Sequence, residues 1–204
     1  MKLNRKWLNE EFVDLSNVSD KEFVETLTVF GQKVETWERL DAEIKNVVVG
    51  KVLSMVRHPN SDHMWICQVD VGGDAPVQIV TGAQNVHEGD LVPAALHNSW
   101  LPGGVHITKG KLRGEVSGGM LCSFAELGLT QNDLPGVFAD GIWILNDEDC
   151  TVGEDINLVI GNDDTVVDFE ITNNRPDCYS IIGLAREAAA AFGKPMRLDR
   201  KSVV

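Results

Sequence analysis

The sequence lacks several features that would each indicate a particular class of protein. No apolar run approaches the ~18 residues that a membrane-spanning helix needs, and the start, MKLNRKWLNEEFVDL, has no apolar h-region of a secretory signal. We therefore expect a cytoplasmic protein with no membrane partner.

The four cysteines lie 28 to 55 residues apart, so none forms the close pair that a zinc ribbon or a redox dithiol requires. Buried or incidental thiols are the expectation.

Positive charge is also scarce. The chain has 18 Lys and Arg against 31 Asp and Glu, and its formal net charge is −13. Because phosphate contacts come from Lys and Arg, this balance argues against a general polyanion binder. Any nucleic-acid role must rest on a local patch. Apolar residues make up 43% of the 204 residues, which is ample for a packed core in one or two domains.

One stretch, HPNSDHMWICQVDVGG (58–73), concentrates residues that often bind metals. His58, Asp62, His63 and Cys67 look at first like zinc ligands. A structural zinc site usually draws four ligands from two close pairs, and no second pair is present here. We interpret the first half of the stretch as a turn between two strands, in which Pro fixes φ and Asn, Ser and Asp close local hydrogen bonds. The second half is a strand with one packed and one solvated face.

The pattern of helix and strand signals changes twice along the chain. Residues 1–39 and 152–204 mix helical and strand patterns, whereas residues 40–151 contain five or more short strands separated by Gly and Pro. The middle part therefore predicts a small closed or half-closed barrel. Neither end segment is large enough to bury a core alone. The predicted fold class is α+β: a small discontinuous α+β module, formed by the two ends, with a β-barrel inserted into it.

Helix and strand signals are distinct in several places. Ser19 or Asp20 can cap a helix that Gly31 ends, and Ser180 can cap a second helix that Gly193 ends. The strand patterns are VETWE (34–38), IKNVVVGKVLSMVRH (44–58), WICQVDVG (65–72), VQIVTGA (77–83), DLVPAAL (90–96), GIWIL (141–145) and TVVDFEITNN (165–174).

The most basic stretch of the barrel segment is KGKLR (109–113). Only six Lys or Arg fall within residues 40–151, and three of them are here. On a strand, alternation would place Lys109, Lys111 and Arg113 on one face, as a groove that follows a nucleic-acid backbone requires. A solvated edge strand, whose lysines discourage strand association, explains the same residues and stays open.

The glycine-rich stretches give two further indications. In GEVSGGMLCS (114–123), Ser117 is a candidate contact for a nucleotide, with packing in the core as the alternative. Gly104 to Lys111 resembles a phosphate loop, but the spacing is one residue too long and Leu112 occupies the Ser/Thr position. No Rossmann glycine fingerprint is present, so we expect no ATP site in this chain.

Together these motifs resemble a known family. HPNSDHMWICQVDVG, QIVTGAQNV, LPGG…KGKLRGEVSGGMLCS and AELGL resemble the tRNA-binding oligonucleotide/oligosaccharide-binding (OB) domain of several synthetases and free tRNA-binding proteins. KWLNEEFVD, VFGQKVE and DFEITNNRPDCYSIIGLAREAAAAFGKP resemble the amino-terminal module of bacterial phenylalanine–tRNA ligase β subunits, into which an OB domain is inserted. The resemblance covers essentially the whole chain. Since family β subunits are several times longer, we expect an amino-terminal fragment.

The resemblance implies partners and candidate contacts. It implies tRNA(Phe) and the ligase α subunit as partners, in a heterotetramer of two α and two β chains. ATP and Mg²⁺ would serve catalysis in the α subunit, so this chain is expected to be non-catalytic, with no cofactor or metal of its own. The candidate RNA contacts are Lys109, Lys111, Arg113, Ser117 and His63, the last at a position where the family usually has Lys. The alternative is a structural and subunit-interaction module with a vestigial RNA groove.

Overall fold

The structure is a computed structural model that describes residues 1–133, 140–146 and 148–197. The chain forms two compact units. The terminal unit contains the residues up to Leu40 together with those from Asp163 onward, and the central unit is Asp41–Asn162. Strand exceeds helix in the described residues, so the chain is mostly β.

The regular elements have the following bounds. The helices are α1 (Arg5–Trp7), α2 (Asp20–Val29), α3 (Ile156–Val159) and α4 (Ile181–Phe192), with a π-helical turn at Leu8–Phe12 and 3₁₀ turns at Leu40–Ala42, Pro102–Gly104, Ala125–Leu127 and Pro176–Tyr179. The strands are β1 (Lys2–Asn4), β2 (Val34–Arg39), β3 (Lys45–Arg57), β4 (Trp65–Asp70), β5 (Val77–Thr81), β6 (Leu91–Leu101), β7 (Val105–Ile107), β8 (Gly110–Leu112), β9 (Glu115–Ser117), β10 (Gly119–Leu121) and β11 (Thr165–Phe169).

The terminal unit is a three-stranded antiparallel sheet, in the order β1-β11-β2, with the helices α1, α2 and α4. Both predicted helix caps are confirmed: the hydroxyls of Ser19 and Ser180 each accept the backbone N–H three residues further on. Gly193 takes the left-handed conformation that ends α4. Phe23 of α2 and Phe192 of α4 stack with ring centroids 6.0 Å apart. The remaining core includes Leu3, Leu8, Val13, Leu15, Leu27, Val167, Phe169 and Leu184.

The central unit is built on one curled antiparallel sheet in the order β10-β6-β3-β4-β5, with β7 paired to β6. The two ends of this sheet approach each other. Gly118, just before β10, donates its N–H to the carbonyl oxygen of Gln78 in β5 at 2.7 Å. The sheet therefore curls into a half-barrel, which agrees with the closed or half-closed barrel that the strand pattern predicted.

Strand β10 lies unusually close to the backbone of β6. A Cβ atom built on Gly119 would be 2.2 Å from the carbonyl oxygen of Ala95, which is much shorter than any real contact. Only glycine allows this approach without a shift of the backbone. The Gly118-Gly119 pair is thus needed where the sheet curls, apart from any role in ligand binding.

The segment Gly141–Leu145 differs from its prediction. It forms no strand, although the N–H of Trp143 donates to Cys122 O and the N–H of Leu145 donates to Leu91 O. Both side chains are buried in the core of the central unit. The apolar alternation that predicted a strand therefore reflects packing of an irregular segment over the sheet.

Residues 152–162 pack with the central unit, whereas the sequence assigned them to the terminal module. Gly153 donates its N–H to Val49 O at 2.8 Å, and Val49 donates to Glu154 O at 2.8 Å. Ile156 of α3 is fully buried in the core of the central unit. The division into domains at residues 39/40 and 151/152 stays a prediction.

Candidate nucleic-acid interface

The loop between β3 and β4 (residues 58–64) is joined to the β8–β9 hairpin through His58. This side chain is only 3% exposed. Its Nδ1 accepts the N–H of Asn60 at 3.0 Å, and its Nε2 lies 3.0 Å from Leu112 O. Because Nδ1 is an acceptor, the ring carries its hydrogen on Nε2 and donates it to the Leu112 carbonyl. Both ring nitrogens are occupied, so His58 connects two loops and offers no lone pair to a metal.

A second link joins the same two segments. Asn60 donates from Nδ2 to Arg113 O at 3.3 Å, and Arg113 Nη1 lies 3.5 Å from Asn60 O. The turn of the hairpin is thus held against the loop through backbone atoms at its end. These links fix the position from which the basic side chains of the hairpin extend.

The expected arrangement of the basic stretch on one strand face is wrong. Strand β8 contains only Gly110–Leu112, so Lys109 precedes the strand and Arg113 follows it. Arg113 (φ 49°) and Gly114 (φ 102°) both have left-handed backbones, between the paired residues at the ends of β8 and β9. This is the geometry of a two-residue hairpin turn. The turn removes Arg113 from the alternation and places it at the tip of the hairpin.

The three basic residues are nevertheless close in the chain and exposed. Lys109, Lys111 and Arg113 all face solvent, and within the described part of the chain none forms an ion pair with a carboxylate. The backbone N–H of Lys109 donates to Nδ1 of His97 at 3.0 Å. The hairpin and the residue before it therefore present a net positive charge, with three cations against the carboxylate of Glu115, on a chain whose net charge is −13.

Sequence reasoning missed two residues beside the loop. The guanidinium of Arg57 lies 3.8 Å from the centroid of the Trp65 ring, and its Nη1 donates to Asp62 O at 3.0 Å. The two residues face each other across the β3–β4 pairing. Their position at the two ends of a predicted strand–turn–strand unit was the available signal. Aromatic rings that stack on bases and arginines that make cation–π contacts are both common on surfaces that bind single-stranded nucleic acid.

The other two candidate contacts lie in different environments. Ser117 is 4% exposed, and its hydroxyl accepts the N–H of Val80 at 3.0 Å and donates to Gly119 O at 2.7 Å. It fastens the end of β9 to β5 and is not at the surface. His63 is exposed in the loop, where its carbonyl accepts Nε2 of Gln84 at 3.0 Å. A contact between RNA and any of these residues stays a prediction.

The terminal unit contains one group of potential metal ligands among the described residues: Asp177, Cys178 and Glu187. The guanidinium of Arg175 already occupies it, since Nη2 lies 2.9 Å from Asp177 Oδ2, 2.6 Å from Glu187 Oε1 and 3.3 Å from Cys178 Sγ. Hydrogen bonding to Arg175 lowers the pKa of Asp177 to about 2. This group is therefore a structural ion-pair network at the start of α4.

None of the four cysteines forms a disulfide bond. Cys67, Cys122 and Cys178 are buried and Cys150 is half-buried, all as free thiols. Burial raises the pKa of Cys67 to about 11 and that of Cys122 to about 12. They are packing residues, as expected. In the described ranges, no helix is both long and apolar enough to cross a membrane.

Comparisons with known proteins bear on the central unit and then on the whole chain. A family model described as "Putative tRNA binding domain" matches residues 47–140. The phenylalanine–tRNA ligase β subunit of Clostridium acetobutylicum is 50% identical over 197 residues, which cover 97% of this chain and 24% of that protein. That of Clostridium tetani is 46% identical over 193 residues, covering 95% of this chain and 23% of that protein. The chain spans about a quarter of the length of the curated relatives it matches.

Among solved structures, the C-terminal domain of Plasmodium vivax p43 is similar to this chain at a TM-score of 0.38 and 22% identity, covering 55% of this chain and 59% of that one. We draw no conclusion from a similarity this low.

Proposed function

Because this chain belongs to the phenylalanine–tRNA ligase β-subunit family, we propose that it forms the tRNA-binding and scaffolding region of such a subunit. The parent enzyme would attach phenylalanine to tRNA(Phe) with ATP during translation. The names of the relatives support the reaction, and the matched tRNA-binding domain supports the RNA partner. No step of catalysis is assigned to this chain.

We further propose that the curled sheet is an OB fold inserted into a discontinuous α+β module. In OB folds, the loop between the first two strands and the loop between the last two bind oligonucleotides. Here these loops are residues 58–64, between β3 and β4, and residues 102–118, between β6 and β10. The two loops meet at His58 and Leu112.

The observation that carries the proposal is this junction together with the charge beside it. The side chains of His58 and Asn60 fix the hairpin by hydrogen bonds to its backbone carbonyls, while Lys111 and Arg113 are exposed. A fixed basic edge can follow a phosphate backbone with little loss of conformational entropy. The flanking pair of Arg57 and Trp65 adds a cation and an aromatic ring to the same end of the barrel.

The partners of the parent protein are part of the same proposal. A β subunit implies an α subunit, and we propose a cytoplasmic heterotetramer of two α and two β chains. ATP and Mg²⁺ would be bound by the α subunit, where catalysis would take place. The terminal unit, with its exposed Trp7 and Phe30, offers surface for contacts within such an assembly.

A specific observation favours a second function. The net charge of −13, the burial of Ser117 and a histidine at residue 63 reduce the positive character of the RNA face. The chain would then be a structural and subunit-interaction module with a vestigial groove.

Titration of labelled tRNA(Phe) at two salt concentrations separates the two functions. The test variant has Lys109, Lys111 and Arg113 replaced by Ala. If the RNA-binding function is right, the native chain binds, and the slope of log K against log [salt] falls by about 1 for each phosphate that the variant no longer neutralises. Absence of binding at low salt would contradict it and favour the scaffold.

The matched control removes three exposed cations from the terminal unit, with Lys2, Lys21 and Arg186 replaced by Ala. Its net charge equals that of the test variant. We expect its salt slope to stay close to that of the native chain, because the effect depends on where the charge lies. Equal slopes for the two variants would mean that only net charge matters, which would contradict the proposed site.

A further inference from the structure

A long segment of the central unit contains no acidic residue. Leu91–Gly114 has no Asp or Glu, although the chain has 31 acidic residues among 204. The segment contains β6, β7 and β8, and it carries three Lys or Arg and two His. In a chain this acidic, such a stretch is a part of the chain where a polyanion meets less repulsion than elsewhere.

An exposed aromatic pair lies within this segment. Trp100 is 42% exposed, and its ring is stacked on that of His106, with centroids 4.3 Å apart and an angle of 14° between planes. The two residues face each other across the β6–β7 pairing. Stacking on His106 holds the indole in a defined orientation on a strand. A preoriented ring loses little entropy when a second flat group stacks on it.

The indole also lines a surface cavity of about 350 Å³. Lys45, which pairs with Trp100 across the β3–β6 ladder, lines the same cavity and is exposed. A Cβ atom built on Gly103 or Gly104 would have no neighbour within 4 Å, so this side of the cavity is open. Glu43 is the acidic residue among the residues that line it. The volume lies within the range of about 300–1,000 Å³ that is usual for small flat ligands.

We propose that Trp100, together with His106 and Lys45, forms a stacking site for an unpaired base of RNA. The base would stack on the indole, and the ammonium of Lys45 would contact the adjacent phosphate. This inference rests on the proposed function and adds a base contact to the phosphate contacts of the hairpin.

The surroundings favour RNA over a protein partner. Protein interfaces bury a mainly apolar centre that is depleted in charged residues. Trp100 shares its cavity with the charged Lys45 and Glu43 as well as with Ala42, Leu101 and two glycines, and the imidazole of His106 is stacked on the ring. Stacking of a base on an aromatic ring tolerates any sequence, since every base has a π face. The site would therefore add affinity for unpaired nucleotides without selecting among bases.

The test compares two short unstructured RNA oligonucleotides of equal length, one with all its bases and one abasic throughout its central part. Affinity for each is measured by fluorescence anisotropy with the native chain and with Trp100→Ala. We expect the substitution to weaken binding of the complete oligonucleotide on the order of tenfold, the effect of losing one base stack. Binding of the abasic oligonucleotide and the salt slope should not change, and Trp100→Phe should restore most of the affinity.

Trp37→Ala is the matched control. Trp37 is 43% exposed and also lines a cavity, but the basic residues that line that cavity, Arg5, Lys6, Lys21 and Arg39, are each ion-paired with a carboxylate. Because a paired cation has less attraction left for a phosphate, we expect the control to bind both oligonucleotides as the native chain does.

The outcomes separate this inference from the proposed function. If Trp100→Ala binds the complete oligonucleotide as tightly as the native chain does, the proposed stacking site is wrong. The exposed indole would then be a contact for a protein partner. Equal losses on both oligonucleotides also overturn the stacking site, because they indicate a general structural effect. In both cases binding of tRNA by the native chain, with its salt slope, still supports the proposed function. Failure of the native chain to bind any RNA overturns both.

Discussion

The imidazole of His58 donates a hydrogen bond to the carbonyl oxygen of Leu112, 54 residues further along the chain, at 3.0 Å. His58, which in sequence looks like a zinc ligand, is therefore part of a junction between two loops of a half-barrel. The same junction determines where the basic hairpin lies. Stability and RNA binding are thus connected through one buried ring.

Replacing His58 by Ala should destabilise the chain by about 1–3 kcal/mol, because the packing of a buried ring is lost and the N–H of Asn60 and the carbonyl of Leu112 each lose a partner. Urea unfolding of the native and variant chains measures the difference. The control is His63→Ala, which removes an exposed ring and should change the free energy of unfolding by less than about 0.5 kcal/mol. Equal effects of the two substitutions would contradict the role given to His58.

The close approach of β10 to β6 gives a second prediction. In Gly119→Ala, the new methyl group would be 2.2 Å from Ala95 O, a backbone atom that cannot rotate away. We expect a loss of about 1–3 kcal/mol or more, as for other overpacked sites. Gly73→Ala is the matched control in the same unit, since its Cβ would meet no atom within 4 Å. A thermal melt of Gly119→Ala that matched the native one would be incompatible with the curled sheet.

Local signals in the sequence were sufficient for some elements and misleading for others. The caps of α2 and α4 were predictable because a serine and a glycine act on the backbone next to them. The basic stretch was misplaced because Arg113 adopts a left-handed conformation, which is uncommon for arginine, ahead of a glycine that allows the turn. The run Gly141–Leu145 was misassigned because an irregular core segment and a strand have the same apolar alternation.

The site itself was only partly predictable. The concentration of Lys and Arg at 109–113 is visible in composition and identified the exposed cations. The partner of His58 was not predictable, since no local pattern indicates a contact with a residue 54 positions away. The burial of Ser117 was hidden for the same reason, because it depends on the meeting of β9 and β5.

The ion-pair network at the start of α4 has a consequence at acid pH. Hydrogen bonding to Arg175 lowers the pKa of Asp177 to about 2, against about 3.9 in an unfolded chain. The contribution of this carboxylate to stability is therefore complete above about pH 4 and is lost as the pH falls towards 2. NMR titration of the Asp177 carboxyl should show the low midpoint, and Arg175→Gln should return it to about 3.9.

Arg186→Gln is the control for this titration, since Arg186 is exposed on the same helix outside the network. In this variant, the Asp177 carboxyl should titrate with the same midpoint as in the native chain. A native midpoint near 4 would contradict the bidentate pair between Arg175 and Asp177.

The thiols should differ in reactivity. Because the thiolate is the reactive form, Cys67 and Cys122, with pKa values raised by burial to about 11 and about 12, should resist Ellman's reagent at pH 8 in the folded chain. Cys150 is half-buried and should react first. Mass spectrometry of digested samples along the time course identifies the order. Labelling of Cys67 as fast as Cys150 would show that the core of the half-barrel is open.

Amide hydrogen exchange shows whether the joined loop and hairpin form the RNA-contacting surface. Exchange is followed by mass spectrometry with and without saturating tRNA(Phe). We expect slower exchange in residues 58–64 and 109–117, and unchanged exchange in α2 and α4. Protection confined to the terminal unit, or no protection at a tRNA concentration that saturates binding, would contradict it.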